Sequence, residues 1–218
     1  MINSNIQQGW DRPIYYAVTV SNDLYLGMEE YFALTGLANH IVPIKTAACG
    51  GVDTERMYDN MMNKFQWGGL ENATKENPIY LDENIRRMCQ TTRVMFGELI
   101  DQLIVEGKNE EALKALDFIG EKMPGWLVPY EALSIQMANN YITLGQNDKA
   151  KELLTDNINR SLQYLRWYQT LTPSQYRSIG DKDLHQYILQ AGLTLLYENG
   201  MQATAEEIIT EAQANGIL

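Results

Sequence analysis

Three short stretches of the chain share one pattern, in which a glycine is followed five residues later by an alanine. They are 107–112, 145–150 and 200–205, and each lies where one helical hydrophobic pattern stops and another begins. Four residues after each alanine comes a branched aliphatic residue: Leu116, Leu154 and Ile209. A glycine at a helix end, followed by a small residue early in the next helix, is typical of two closely packed helices. The pattern predicts helix–turn–helix repeats, which are usually binding scaffolds.

Hydrophobic spacing predicts six helices in the C-terminal part of the chain. Asp82 and Asn109 are expected to cap the first two helices, and Pro129 suits the first position of the third. A turn or short helix is expected to open at Thr172. The predicted spans run from Asp82 to Gly107, Asn109 to Met123, Pro129 to Leu144, Asn147 to Tyr168, Asp183 to Asn199, and Ala203 to Ala214.

The N-terminal part has a different character. Residues 13–20 and 37–44 are rich in β-branched and other apolar types and predict two strands that pair in a small sheet. Met28 to Thr35 is expected to form a short helix between them. The segment from Asp53 to Phe65 is predicted to form a further helix, because its large apolar residues recur every four positions. The predicted fold class is therefore mostly α, with a small α+β cap at residues 1–81 and helical repeats at residues 82–218.

The register of the repeats is that of the tetratricopeptide unit, which is about 34 residues long, has small residues at its helix crossing and ends in proline. Residues 93–126 fit this register well, residues 131–164 fit it less well, and residues 186–218 fit it loosely. The spacing is uneven, since 38 residues separate the first two corner glycines and 55 separate the next two. The alternative is an irregular bundle of antiparallel helix hairpins.

In a tetratricopeptide array the first helix of each pair lines a concave surface that holds a peptide. Transferring that register to this chain predicts a groove, and its residues are Asp101, Asn139, Ile142, Gln190 and Tyr197. The expected partner is a protein or peptide, with a glycan acceptor as a further candidate.

Residues that could support catalysis have simpler structural explanations. His40 and His185 are the only histidines, and both are expected to be structural. The carboxylate pairs are expected to cap helices or to favour helix first turns: Asp53/Glu55, Asp82/Glu83 and Asp181/Asp183. Cys49 and Cys89 form no metal-ligand or redox motif, and both are expected to be free thiols. No catalytic residue, no metal site and no cofactor is predicted.

Aromatic residues are abundant, with 13 tyrosines and 4 tryptophans. One set falls in the N-terminal part, and another surrounds the loop near residue 172, where it includes Tyr164, Trp167, Tyr168 and Tyr176. Such clusters can stack on sugars or peptides. The simpler interpretation, which we favour, is packing in the core.

Charge and hydropathy narrow the class of partner. The net charge is −11 and is spread along the chain, so nucleic acid and anionic membrane surfaces are disfavoured as partners. The first ten residues lack the apolar run of a signal peptide. The longest uncharged stretch of the N-terminal part, residues 31–44, is too short to span a bilayer. The chain is expected to be either a complete cytoplasmic protein or a soluble piece of a longer one.

A string of motifs in the N-terminal part resembles a known family. It comprises residues 12–23, 25–27, 36–38, 41–44, 57–65 and 67–69, followed by Tyr80-Leu-Asp-Glu-Asn84. These resemble the soluble C-terminal region of bacterial multi-pass membrane proteins related to protein O-mannosyltransferases, a family long catalogued as a domain of unknown function. The resemblance covers about residues 12–87, and the helical repeats that follow also suit it.

The resemblance implies a non-catalytic domain on the periplasmic side of the inner membrane. The family's catalytic site would belong to the membrane portion of the parent protein, a possible glycosyltransferase, so no catalytic residue transfers to this chain. Contact with the membrane would come only through transmembrane segments upstream of the sequence given. The alternatives are a free-standing cytoplasmic tetratricopeptide adaptor and a carbohydrate-active enzyme domain.

Overall fold

A computed structural model describes residues 7, 9–46 and 51–218, and Cys49 lies outside these ranges. The chain divides into two compact units, Met1–Leu127 and Val128–Leu218. It is about 61% helical with a small N-terminal sheet, which confirms the predicted fold class of mostly α with an α+β cap. The domain boundary at residue 82 is predicted from the start of the helical hydrophobic pattern, and it stays a prediction.

The sheet of the first unit has the strand order β1-β3-β2-β4. Its strands are β1 (Tyr15–Ala17), β2 (Phe32–Leu34), β3 (Ala38–Ile41) and β4 (Gly51–Val52). Strands β1 and β3 pair antiparallel, with Tyr15 opposite His40. The predicted pairing of two strands is therefore confirmed, although each strand is shorter than its predicted span.

The helix predicted between these strands is wrong. Within the predicted span 28–35, only Glu29–Tyr31 is helical, as a single turn of 3₁₀-helix, and the chain then enters β2. Strand β2 lies inside the sheet, antiparallel to β3 and parallel to β4. Phe32 is 3% exposed. A run of three apolar residues has no period of its own, so burial between two strands decides its conformation.

Helix α1 (Thr54–Asp59) follows the sheet and continues as a π-helical turn over Asn60–Lys64. The side chain of Asp53 caps it by accepting a hydrogen bond from the backbone N–H of Arg56 at 3.1 Å. Met57 and Met61 are fully buried. The helix predicted over residues 53–65 and its four-residue apolar spacing are confirmed.

Helices α2 (Glu83–Val105) and α3 (Asn109–Lys122) complete the first unit and pack against each other. Asp82 caps α2 by accepting from the N–H of Ile85 at 2.8 Å, as predicted. Asn109 does not cap α3. It is the first helical residue, and the cap position belongs to Lys108, whose side chain makes no capping bond.

The second unit contains five helices. They are α4 (Leu133–Thr143), α5 (Asn147–Gln169), α6 (Pro173–Arg177), α7 (Lys182–Glu198) and α8 (Gln202–Ala214). The predicted start of α4 at Pro129 is wrong by four residues. Glu131 has a φ of 52°, a left-handed conformation that a helix cannot contain. Ser134 and Asn157 both donate side-chain hydrogen bonds to the Glu131 carbonyl and hold this turn in place.

The three glycine–alanine corners have the same geometry. Gly107, Gly145 and Gly200 have φ values of 75°, 74° and 79°, which favour glycine. In each corner the residue after the glycine donates its backbone N–H to the carbonyl five residues earlier, which closes a Schellman motif. These bonds are Lys108 to Leu103 at 2.9 Å, Gln146 to Tyr141 at 2.7 Å, and Met201 to Leu196 at 2.9 Å.

The alanine of each corner lies at a helix crossing. Ala112, Ala150 and Ala205 are all fully buried. The next predicted core position is fully buried in the first two corners, at Leu116 and Leu154. In the third corner Ile209 is only half-buried, and its neighbour Ile208 is buried instead. The corner pattern therefore predicts three helix hairpins correctly, with the third packed slightly differently.

Within the second unit the helices contact one another in a staggered order. Helix α4 packs on α5, α5 packs on α7, and α7 packs on α8, while α4 and α7 also contact each other. In this unit the second helix of one hairpin, α5, thus supports the first helix of the next hairpin, α7. In the described part of the chain, no helix combines the length and the hydropathy needed to cross a membrane.

Candidate functional site

A cavity of about 390 Å³ lies in the second unit, between α5, α6, α7 and the C-terminal segment that follows α8. Its walls combine aliphatic, aromatic and amide side chains with a single charged group. The lining residues are Leu165, Tyr168, Gln169, Tyr176, Lys182, Gln186, Leu189, Gln190, Ile217 and Leu218. We call these ten residues the α5–α7 cavity.

The short helix α6 places Tyr176 at the rim of this cavity. Thr172 forms a capping box with Gln175, in which each residue bonds the backbone N–H of the other. Proline at position 173 begins the helix, since its fixed φ suits the first turn. The Tyr176 ring lies 6.3 Å from the Tyr168 ring and carries the Lys182 ammonium 5.1 Å from its centroid.

Tyr168 forms the inner wall and is only 5% exposed. Its hydroxyl donates a hydrogen bond to Asp181 Oδ1 at 3.1 Å. Burial, and then this bond, raise the pKa of Tyr168 above its usual value, so the phenol is neutral at physiological pH. Asp181 occupies the N-cap position of α7, but its side chain makes no capping bond. Asp181 therefore holds the cap position without a capping bond, because Tyr168 engages its carboxylate, while Asp183 supplies an acidic residue in the first turn as predicted.

His185 lies beneath these aromatic rings and stacks on Tyr164 with centroids 4.2 Å apart. Its Nδ1 is 3.3 Å from Ser161 Oγ, and its Nε2 is 4.0 Å from Asp181 Oδ2. Burial lowers the pKa of His185, and the opposing effect of the Asp181 charge is smaller. The neutral imidazole is therefore the favoured form.

The serine, histidine and carboxylate of this cluster do not form a working nucleophile. Ser161 is 1% exposed and His185 is 6% exposed, so a substrate carbonyl cannot reach the hydroxyl. The separation of 4.0 Å between His185 and Asp181 is also too long for the hydrogen bond that orients a catalytic base. The cluster braces α5 against α7, which agrees with the structural role predicted for His185.

His40 is held within the first unit. Its ring stacks on Tyr15 at 4.8 Å, and its Nδ1 lies 3.1 Å from Nη1 of Arg56. Burial and the Arg56 charge lower the pKa of His40, so the ring stays neutral and accepts this hydrogen bond. His40 therefore links β3 to α1 and has a structural role, as predicted.

One of the five residues of the predicted groove lines the α5–α7 cavity, and that residue is Gln190. Tyr197 follows it by seven positions on α7, on the same side of the helix, and is 39% exposed. Asn139 and Ile142 lie on α4, where Asn139 is exposed and Ile142 is half-buried. Asp101 lies on α2 in the first unit. The predicted set is thus spread over three helices, and the groove itself stays a prediction.

Sequence reasoning missed several lining residues. Gln186 precedes Gln190 by four positions, next to the buried His185 and Leu189, so α7 presents a polar stripe beside its core stripe. That spacing was available in the sequence. The sequence alone did not indicate that Ile217 and Leu218 line the cavity. Their position depends on a tertiary hydrogen bond from Gln169 Nε2 to the Gly216 carbonyl at 2.8 Å.

Candidate metal ligands and cysteines were considered over the described ranges. No group of three or more His, Cys, Asp or Glu residues there could hold a metal ion. Cys89 is a buried free thiol, and burial raises its pKa. The expectation for Cys49 falls outside the described residues.

Comparison with known proteins gives a family-model match to the N-terminal part of the chain. Residues 1–60 match the family model described as TMEM260-associated domain 2. The range covers the sheet and α1 and stops before the helical hairpins. No curated protein and no solved structure matches the chain. The N-terminal part is therefore similar to a TMEM260-associated domain, which is consistent with a domain that accompanies a membrane protein.

Proposed function

We propose that this chain is a non-catalytic domain that binds or braces another protein. It would serve a membrane glycosyltransferase-like protein, related to protein O-mannosyltransferases, on the periplasmic side of the inner membrane. The observation on which this proposal rests is the threefold repetition of one corner geometry at Gly107, Gly145 and Gly200. Repeated helix hairpins build extended surfaces suited to holding a partner.

The packing order in the second unit supports tetratricopeptide-like stacking. The second helix of one hairpin, α5, packs on the first helix of the next, α7, and the two first helices α4 and α7 touch each other. In tetratricopeptide-like stacking the first helices would lie side by side and form one face. Asn139 on α4 and Tyr197 on α7 are exposed and suit contact with a peptide.

The similarity of the N-terminal part to a TMEM260-associated domain supports an association with a membrane protein. The matched residues 1–60 overlap the motifs that resemble the O-mannosyltransferase-related family. The buried state of Ser161 and His185 supports a role in binding over one in chemistry, because a nucleophile must reach its substrate.

Selection from a displayed peptide library tests whether the first helices bind a partner. The best peptide is titrated calorimetrically into the purified chain and into the double variant Asn139→Ala/Tyr197→Ala. The matched control is Glu207→Ala/Gln213→Ala, which changes exposed residues of the second helix α8. Loss of two interface side chains is expected to weaken binding about tenfold or more, and the control is expected to leave it unchanged.

Two outcomes contradict the proposal. One is a library that yields no peptide whose binding is saturable. The other is an equal loss of affinity in the control variant, which would assign binding to the second helices. Circular dichroism of every variant verifies that the helical fold is intact.

A further inference from the structure

We infer that the α5–α7 cavity is a saccharide-binding site that takes one or two pyranose rings. This goes beyond the proposed function, since the peptide would bind the exposed face of α4 and α7. The volume of about 390 Å³ lies near the lower end of the range of about 300–1,000 Å³ that is usual for small-molecule sites. A compact ligand therefore fits better than an extended chain.

The aromatic rim supplies the apolar half of the recognition. Tyr176 is 38% exposed, so part of the residue remains accessible to a ligand. A pyranose presents C–H groups on its face, and these pack against aromatic rings that have an apolar body and a polar tip. Leu165 and Leu189 give the cavity a buried aliphatic floor that suits the same surface.

Two amide side chains supply the polar half. Gln186 and Gln190 lie one helical turn apart on α7, so their side chains emerge on the same side. Neither side-chain amide has a hydrogen-bond partner within the part of the chain that the structure describes. Each amide both donates and accepts, as sugar hydroxyls do, so the two kinds of group can pair with each other.

The charge of the lining favours a neutral ligand. Lys182 is the only charged residue among the ten lining residues, and its ammonium sits over the Tyr176 ring. The Asp181 carboxylate, which accepts from Tyr168, is not among the lining residues. A neutral polyhydroxylated ring meets these walls without leaving an uncompensated charge.

Saturation-transfer NMR of the full chain with methyl pyranosides and their disaccharides tests the inference. A small ligand of this size is expected to bind with a dissociation constant on the order of 1 mM. Tyr176→Ala and the double variant Gln186→Ala/Gln190→Ala are each expected to weaken binding about fivefold or more. Tyr176→Phe keeps the ring and is expected to retain most of the affinity.

Matched controls separate the cavity from the rest of the surface. Tyr187→Ala removes an exposed tyrosine of α7, and Gln213→Ala removes an amide of α8, and neither residue is among those that line the cavity. Both are expected to leave saccharide binding unchanged. Urea unfolding midpoints show whether each variant is folded.

Three results would overturn the inference. The first is no saturable binding by any saccharide of the panel up to about 10 mM. The second is binding that the cavity variants leave intact. The third is a selected peptide whose affinity is lost in the cavity variants while saccharides do not bind. The Asn139→Ala/Tyr197→Ala variant is expected to bind saccharide normally, so failure here is distinct from failure of the peptide-binding proposal.

Discussion

At the scale of single residues, close packing decides which side chains the hairpins tolerate. Gly192 lies buried on α7 opposite Ile158 of α5. A Cβ added there would lie 2.7 Å from Ile158 Cδ1 and 2.9 Å from its Cγ1. Real Cβ atoms essentially never approach so closely, so an alanine at this position would displace the Ile158 side chain.

Gly192→Ala is therefore expected to lower the free energy of unfolding by about 1 kcal/mol. Overpacking costs about 1–3 kcal/mol, and the better helix propensity of alanine offsets up to about 1 kcal/mol of that. Urea denaturation followed by circular dichroism measures the change. The cost is expected to shrink on an Ile158→Val background, which removes the nearest atom.

Gly180→Ala is the matched control, because nothing lies within 4 Å of an added Cβ at that position and its φ is not positive. It is expected to be neutral or slightly stabilising. A stabilising Gly192→Ala substitution would show that α5 and α7 are not in close contact at this point.

The buried His185 predicts a pH dependence of stability. Its pKa in the folded chain is lowered from the usual 6.5, so the unfolded chain binds the proton more readily. The stability conferred by the neutral ring is complete above pH 6.5 and is lost as the pH falls from 6.5 through the folded value. His185→Gln is expected to reduce the loss of stability between pH 7.5 and pH 5.5.

Unfolding midpoints of the wild type and the variant at the two pH values measure this effect. His40 shifts in the same direction but is present in both proteins, so its contribution cancels. Identical losses in the two proteins would mean that His185 is protonated equally in the folded and unfolded states.

At the scale of the elements, the three corners are equivalent units. Gly107, Gly145 and Gly200 share a positive φ, and nothing lies within 4 Å of an added Cβ at any of them. The free-energy cost of adding a side chain there comes from backbone conformation alone, since the added Cβ would clash with no neighbouring atom. The corners should therefore respond alike to the same substitution.

Replacing any one of the three glycines by alanine is expected to cost about 1 kcal/mol of stability. Asparagine at the same position is expected to cost less, because it tolerates the left-handed conformation better. Chemical denaturation of the six single variants tests both statements. A corner whose alanine variant differs from the others by more than about 1 kcal/mol would not be an equivalent repeat corner.

The elements also show where sequence reasoning succeeds and where it stops. Periodicity over many turns identified the spans of α2, α5, α7 and α8, because a helix of that length repeats its core positions. It misassigned β2 and the start of α4. The central strand is defined by its neighbours β3 and β4, and the turn at Glu131 is held by side chains from α4 and α5.

The candidate cavity was predictable only in part. Gln190 and the aromatic residues near residue 172 were identified from the sequence. The sequence also predicted a turn or short helix at Thr172, where the capping box lies. The partnership of Tyr168 with Asp181 was not predictable, because it joins residues on two helices across a loop. Local sequence patterns identify candidate side chains, and tertiary contacts determine which of them line the same cavity.

At the scale of the whole molecule, we propose that the chain is one domain of a larger membrane protein. An antibody against the chain is expected to detect a native product that sediments with membranes and migrates above the 24.9 kDa of this sequence. Protease added to spheroplasts is expected to cleave the antibody's epitope, because the domain would face the periplasm. A soluble product of about 25 kDa that is protected from protease would instead indicate a free-standing adaptor.

Hydrogen-exchange mass spectrometry of the chain, with and without its selected peptide, shows which helices contact the partner. We expect added protection to concentrate on α4 and α7, the first helices of the second and third hairpins. Protection confined to α8, or to the N-terminal sheet, would contradict the claim that these first helices form the surface that holds the partner.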